Sequence, residues 1–150
     1  MLIRDVEPND LEALCHLCAE HAAFENLEFS KTGHKQALAA LLFEEPRRIY
    51  GWVVEVEGML VAYMTATIDY STWNAAPFVY MDCLYVNERH RGHGLGKRLL
   101  QHLRFFAHDM DCHEIQWHTP IENDQGISFY NRMGATSLPK MRFFFTSDET

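Results

Sequence analysis

The 150-residue sequence has no apolar run approaching the ~18 residues that a membrane-crossing helix requires. Its start, MLIRDVEPND, lacks the layout of a signal peptide, so a cytoplasmic protein is expected. Basic residues are few: 13 Lys plus Arg stand against 21 Asp plus Glu, a net charge of −8. A nucleic-acid binder needs the reverse balance, so neither a nucleic-acid nor a membrane partner is expected, and small or cationic partners are favoured. Cysteine is scarce too. Cys15, Cys18, Cys83 and Cys112 are too scattered for a disulfide framework. Cys15-x-x-Cys18, with His16 and His21 nearby, is half of a zinc pattern, but no second cysteine pair follows and both sulfurs fall in what reads as a helix. No metal is expected, and packing is the default role. With no repeat, low-complexity tract or linker, one domain over residues 1–150 is expected, long enough to bury a real core.

The elements follow from spacing. LIRDV reads as an opening strand. EPNDLEALCHLCAEHAAF follows as a one-sided helix, with Pro8 and Asn9 at its start and Leu11, Leu14, Cys15, Cys18 and Ala22 on one face. GHKQALAALLFEE is a second helix stopped by Pro46. IYGWVVEVEG and MLVAYMTATIDY are β-branched and aromatic and meet at Glu57-Gly58, a hairpin. STWNAAP reads as a loop and FVYMDCLYV as the next strand. GKRLLQHLRFFAHDM is a helix with Leu95, Leu99, Leu103 and Phe106 on one face. EIQWHTP is a strand, DQGISFYNRM a short helix, and MRFFFTS a closing strand. The order β-αα-βββ-α-β-α-β predicts a layered α/β domain with a mixed sheet.

ERHRGHGLGKRLL, Glu88 to Leu100, joins a strand to a helix through Gly92, Gly94 and Gly96. Backbone N–H groups at a helix start lie unpaired and attract anions, helped by the positive end of the helix dipole. Glycines let the main chain close on a phosphate, and Arg91, Lys97 and Arg98 add cationic charge. Neither familiar phosphate loop fits. A Walker A loop needs four residues between its glycines and a Ser or Thr after Lys, and the dinucleotide fingerprint needs a different glycine spacing. A tight connection with a solvated basic helix start is the plain alternative, but one or two glycines suffice for most turns.

Arg91-Gly92-His93-Gly94-Leu95-Gly96 resembles the Arg/Gln-x-x-Gly-x-Gly/Ala signature of the GCN5-related N-acetyltransferase (GNAT) superfamily, and strand and helix flank it as that family requires. HAAFENLEF, YMDCLYVNERHRGHGLG and ENDQGISFYNRMGA further resemble its spermidine/spermine (diamine) acetyltransferase branch. The resemblance implies a mixed, largely antiparallel central sheet with helices on both faces. It also implies acetyl-CoA as donor, its pyrophosphate cradled by Arg91 to Gly96 with Lys97. Leu84, Tyr85 and Val86 would lend backbone groups to the pantetheine arm, and Asn123 would contact the cofactor, although helix capping accounts for Asn123 equally well. A homodimer is implied as well, since the family often pairs subunits through terminal strands and MRFFFTS offers three consecutive Phe residues.

Acetyl transfer to an amine requires a neutral nucleophile, a donor for the oxyanion and a proton for the leaving thiolate. Tyr130, in Phe-Tyr-x-x-x-Gly-Ala, takes the place of the family's proton donor; the plain alternative is a core aromatic, a role that Phe129 fits better. Asp82 takes the place of the branch's glutamate as base, one methylene shorter, so that a water is expected to bridge it to the amine. Pairing with a nearby His or Arg would also explain an aspartate in this strand. Cys83 as an acyl-accepting nucleophile lacks an activating base beside it in sequence, and direct attack in a ternary complex is preferred. For the acceptor, Glu25 matches an acid the branch uses for substrate, Phe24 adjoins it, and Pro139 stands where the branch tends to carry another acid. Trp52, Trp73 and Trp117 could wall a pocket, or be core. The expected activity is acetylation of a small di- or polyamine or a related amine. A protein N-terminal or lysine acetyltransferase would need an open groove, against which the aromatic loop 70–77 argues. A non-catalytic acyl-CoA-binding module is opposed by the presence of both Tyr130 and Asp82.

Overall fold

Glu57 and Gly58 take left-handed backbone angles, φ 51° and 79°, the pair of positive values that a tight two-residue hairpin demands. They turn the chain between β2 (Tyr50–Val56) and β3 (Met59–Ser71), as the sequence predicts. The computed structural model describes residues 1–148 and places them in two compact units, Met1–Pro120 and a second beginning at Ile121.

The first unit is built on a five-stranded sheet in the order β1-β2-β3-β4-β5, with β1 at Leu2–Asp5, β4 at Ala76–Val86 and β5 at Ile115–Trp117. The first four strands pair antiparallel and β5 joins β4 in parallel, so the sheet is mixed and largely antiparallel. β3 is buried without interruption from Val61 to Ala66, the sign of a strand covered on both faces. On one face α1 (Leu11–Phe24) and α2 (His34–Phe43) pack Leu14, Leu17 and Leu42 against Val53, Tyr63 and Tyr85. On the other lies α3 (Leu95–Asp109), whose Leu95, Leu99, Leu103 and Ala107 are buried in i,i+4 steps. Phe106 closes that layer, its ring 4.9 Å from Trp52 and 4.8 Å from Tyr50.

At the edge, Arg4 on β1 grips Asp10 with two nitrogens, at 2.7 and 2.9 Å, and Glu55 on β2 at 3.0 Å. The guanidinium holds the buried Asp10 carboxyl below its ordinary pKa. This pins the entry to α1 and thereby the helix whose far end reaches the candidate site. Of the described residues, no helix is long and apolar enough to cross a membrane.

The second unit carries α4 (Asp124–Arg132). The expected closing strand over residues 141–147 does not form, and Phe143, Phe144 and Phe145 are exposed. Strand propensity is realised only against a neighbour, and the ladder of this sheet ends at β5 without including that segment.

Candidate active site

β4 is interrupted at one residue. Thr65 faces Cys83 and Ala66 faces Met81, which leaves Asp82 without a partner on β3. Such a one-residue bulge reverses the pleat. Upstream, Val79 and Met81 point into the α3 layer with Ala66 and Met64; downstream, Cys83 and Tyr85 point into the α1 layer with Tyr63. Asp82, at the reversal, is exposed. β5 pairs with β4 only from Val79 to Met81. From Asp82 to Val86, no strand among the described residues pairs with the edge of β4 opposite β3. An edge of this kind can receive an extended chain carrying amides. The Val86 carbonyl accepts from Arg91 Nε at 2.9 Å.

This edge runs directly into the glycine turn. Asn87 caps a single 3-10 turn by accepting from the Arg89 N–H at 3.1 Å. Gly92 and Gly94 both sit at φ 79°, and a Cβ on either would meet nothing within 4 Å. Open space therefore lies before the main chain, and glycine is required for its backbone angle. Gly94 caps α3 and offers no side chain, leaving the first-turn N–H groups without a side-chain acceptor. Leu95 anchors the helix start in the core, while His93 and Lys97 are exposed. His90 Nδ1 is buried without a hydrogen-bond partner. The combination suits an anion presented to main-chain donors, and residues 91–97 fit the pyrophosphate of acetyl-CoA.

Across from the turn stands the C-terminal end of α1. Arg91 lies 4.5 Å above the Phe24 ring and 5.4 Å from that of Tyr85, which covers one side of Phe24. His21 stacks on Tyr85 at 5.1 Å, with Nδ1 2.7 Å from the Tyr63 hydroxyl and Nε2 3.5 Å from Glu25 Oε1. Burial pushes the His21 pKa below its ordinary value against the opposing charge of Glu25, so the ring is neutral at pH 7. The Tyr85 hydroxyl donates to Glu20 at 3.4 Å, as does the Asn87 amide at 2.9 Å. Burial and the Asp82 charge push the Cys83 thiol up to about 12, and burial takes Cys18 to about 11. At pH 7 a thiol so raised stays protonated, a state unsuited to nucleophilic attack by Cys83. Its S–H points towards Asp82 Oδ2 at 3.8 Å.

Asp82, Leu84, Tyr85, Val86, Arg91, Phe24 and Glu25 thus gather at one end of β4. Trp117 lies on β5 opposite Met81, beside the bulge. Trp52 is not a pocket wall but core beneath α3, and Trp73 is 99% exposed at the tip of the 72–75 turn. That turn encloses nothing at Trp73, contrary to the closed site expected of loop 70–77. In the second unit Asn123 caps α4 by accepting from the Gly126 N–H at 3.1 Å, and a Cβ on Gly126 would collide with the Asn123 amide. Tyr130 sits half-buried on α4 beside Phe129, and its carbonyl accepts from the Met133 and Ala135 N–H groups.

Sequence reasoning passed over Tyr63 and Glu20, and weighed His21 only beside the Cys15-x-x-Cys18 pair. His21 lies four residues before Glu25, which puts both on one helix face, and a tyrosine inside a buried strand needs a partner for its hydroxyl. Those two signals together point to the pair.

The sequence pattern of the acetyltransferase (GNAT) family matches residues 13–135. A thialysine N-epsilon-acetyltransferase of Bos taurus is 25% identical over 146 residues, spanning 92% of this chain and 85% of that protein. The spermidine/spermine N(1)-acetyltransferase-like protein 1 of Homo sapiens is 24% identical over 143 residues, spanning 91% of this chain and 20% of that longer one. In fold, the crystal structure of a possible acetyltransferase from Clostridium difficile 630 superposes with a TM-score of 0.84 at 19% identity, covering 99% of this chain and 98% of that one.

Proposed function

The chain belongs to the acetyltransferase (GNAT) family and is an N-acetyltransferase, and from that premise we propose that it moves the acetyl group of acetyl-CoA to a small primary amine, a di- or polyamine or a related amine. The observation that carries this reading is the serial arrangement at β4: an unpaired edge from Asp82 to Val86, then left-handed glycines opening onto α3.

In this reading the main-chain donors from Arg91 to Gly96, with Lys97, hold the diphosphate, and Leu84, Tyr85 and Val86 present the edge to the pantetheine amides. Asn123, which matches the family's cofactor-contacting asparagine, is the further candidate for the cofactor. When bound, acetyl-CoA supplies an acetyl thioester. Glu25, Phe24 and Trp117 receive the acceptor, and the negative end of the α1 dipole favours its cationic form on arrival. An alkylammonium has a pKa near ~10 and must lose a proton before it attacks. Asp82, exposed at the bulge, takes that proton through a bridging water. Tyr130 gives its phenolic proton to the departing thiolate. Attack is direct, with both substrates bound. The exposed phenylalanines at 143–145 are the face through which two copies pair, and light scattering giving a monomer would refute that pairing.

The test is a free-thiol release assay over amines, amino acids and peptides. Turnover with small amines supports the reading, and a peptide-only response overturns the choice of acceptor. With the preferred acceptor, Tyr130→Phe lowers kcat by about 10²-fold, the scale of a lost general acid, and leaves acetyl-CoA affinity near wild type. Unchanged turnover removes Tyr130 from the mechanism.

A further inference from the structure

A neutral imidazole carries one N–H, and a carboxylate only accepts. With Nε2 facing Glu25 Oε1 at 3.5 Å, the proton of His21 belongs on Nε2, and Nδ1 accepts from the Tyr63 hydroxyl at 2.7 Å. Tyr63 supports that direction: burial raises its pKa and keeps the hydroxyl protonated, with the thiols of Cys18 and Cys83 against it. Stacking on Tyr85 at 5.1 Å and the edge contact with Tyr63 at 5.8 Å fix the ring plane. A helix end has no structural need for a half-buried imidazole with one nitrogen hydrogen-bonded and the other facing a carboxylate; an apolar side chain would fill the space without desolvating a polar ring.

Resting on the reading of Glu25 as the acceptor's acid, we propose that His21 is a positioning residue for the amine: Tyr63 sets its tautomer, and its Nε2–H holds one oxygen of Glu25, leaving the other to receive the ammonium group. A neutral ring does this without cancelling the carboxylate's charge. The groups facing His21 are Glu25 on its own helix, Tyr63 on β3, Asp82 and Tyr85 on β4, and Arg91 beyond the strand. Glu25 and Asp82 favour protonation of the ring; burial and Arg91 oppose it and prevail. Once protonated, the ring can no longer accept from Tyr63, and it neutralises Glu25. Amine binding then weakens.

The experiment titrates the full chain with 1,4-diaminobutane and reads the ring nitrogen signals of His21 by NMR, so that no turnover is needed. In the wild type, Nε2 is protonated, Nδ1 is an acceptor, and the diamine shifts both signals. His21→Leu fills the same space and weakens diamine binding about tenfold, the scale of a lost hydrogen bond to a charged group. Tyr63→Phe mixes the tautomers and weakens binding in the same sense, and it carries the test should the leucine variant not fold. His21→Gln, an amide able to donate to Glu25, retains binding at neutral pH. Wild-type affinity falls in step with His21 protonation, whereas that of the glutamine variant does not. Wild-type affinity in both His21→Leu and Tyr63→Phe overturns the proposal, as does an equal acid loss in His21→Gln. Should amines be acetylated while the diamine leaves the His21 signals unmoved, the inference falls and the assigned activity stands. Should the thiol-release panel give no amine turnover and the diamine not bind, the assigned activity falls and takes the inference with it.

Discussion

The N-terminus of α3 and the C-terminus of α1 approach the same stretch of β4 with opposite polarity, and Arg91, four residues before Leu95, lies 4.5 Å above Phe24, the last residue of α1. At α3 the donors are main-chain N–H groups, bared by left-handed glycines and suited to an anion. At α1 the polar groups are side chains, the acceptors Glu20 and Glu25 with His21, held by hydroxyls and rings and suited to a cation. One end is made by what its residues lack, the other by what they carry. In the proposed reaction, a donor bearing phosphates and an acceptor bearing ammonium would meet on one strand without competing for a single site.

Substitutions should separate the two ends. The largest effect is expected from Gly94→Val, which forces a β-branched residue to φ 79°. Strain of ~3 kcal/mol corresponds to a loss in acetyl-CoA affinity of roughly 100-fold. Calorimetric binding should register it, and the diamine affinity should stay near wild type. Arg91→Ala removes the guanidinium from both rings and from the Val86 carbonyl. It is expected to weaken acetyl-CoA about tenfold and, alone among these changes, to disturb both substrates; an unaltered dissociation constant would mean that the two ends are not joined through it. Smaller again is the pH effect. The folded-state pKa of His21 is lowered from 6.5, so its stabilising contribution is complete above 6.5. That contribution is lost as pH falls towards the folded value, because the unfolded chain takes up the proton first. The slope is at most ~1.4 kcal/mol per pH unit, and urea midpoints of wild type and His21→Gln should diverge on that side only. Least of all, Cys83→Ala should keep kcat within about twofold, as a thiol that stays protonated supplies no nucleophile. A 10²-fold drop would restore the covalent route.

The comparison also explains which parts could be read in the sequence. The glycine turn, the Glu57-Gly58 hairpin and the buried face of α3 are local patterns, fixed by residues a few positions apart. His21 and Tyr63 are 42 residues apart, and Tyr85 and Glu20 are 65 apart; only the sheet order brings them together. The bulge at Asp82 left no mark, because FVYMDCLYV reads as an ordinary strand on both sides of the slip. MRFFFTS erred in the opposite direction, since its composition favours a strand but no ladder partner takes it up.

The slip at Asp82 makes that residue additional to the ladder, a length the strand does not need for its pairing. Loss of it would join Met81 directly to Cys83, so that Ala66↔Met81 is followed by Thr65↔Cys83 without a break. Every flanking side chain would keep its present face, and the rings of Tyr63 and Tyr85 would stay against α1. A deletion at position 82 should therefore spare the sheet and remove only the local bend and the exposed carboxylate, whereas a deletion within Cys83–Val86 would turn the residues beyond it to the wrong side.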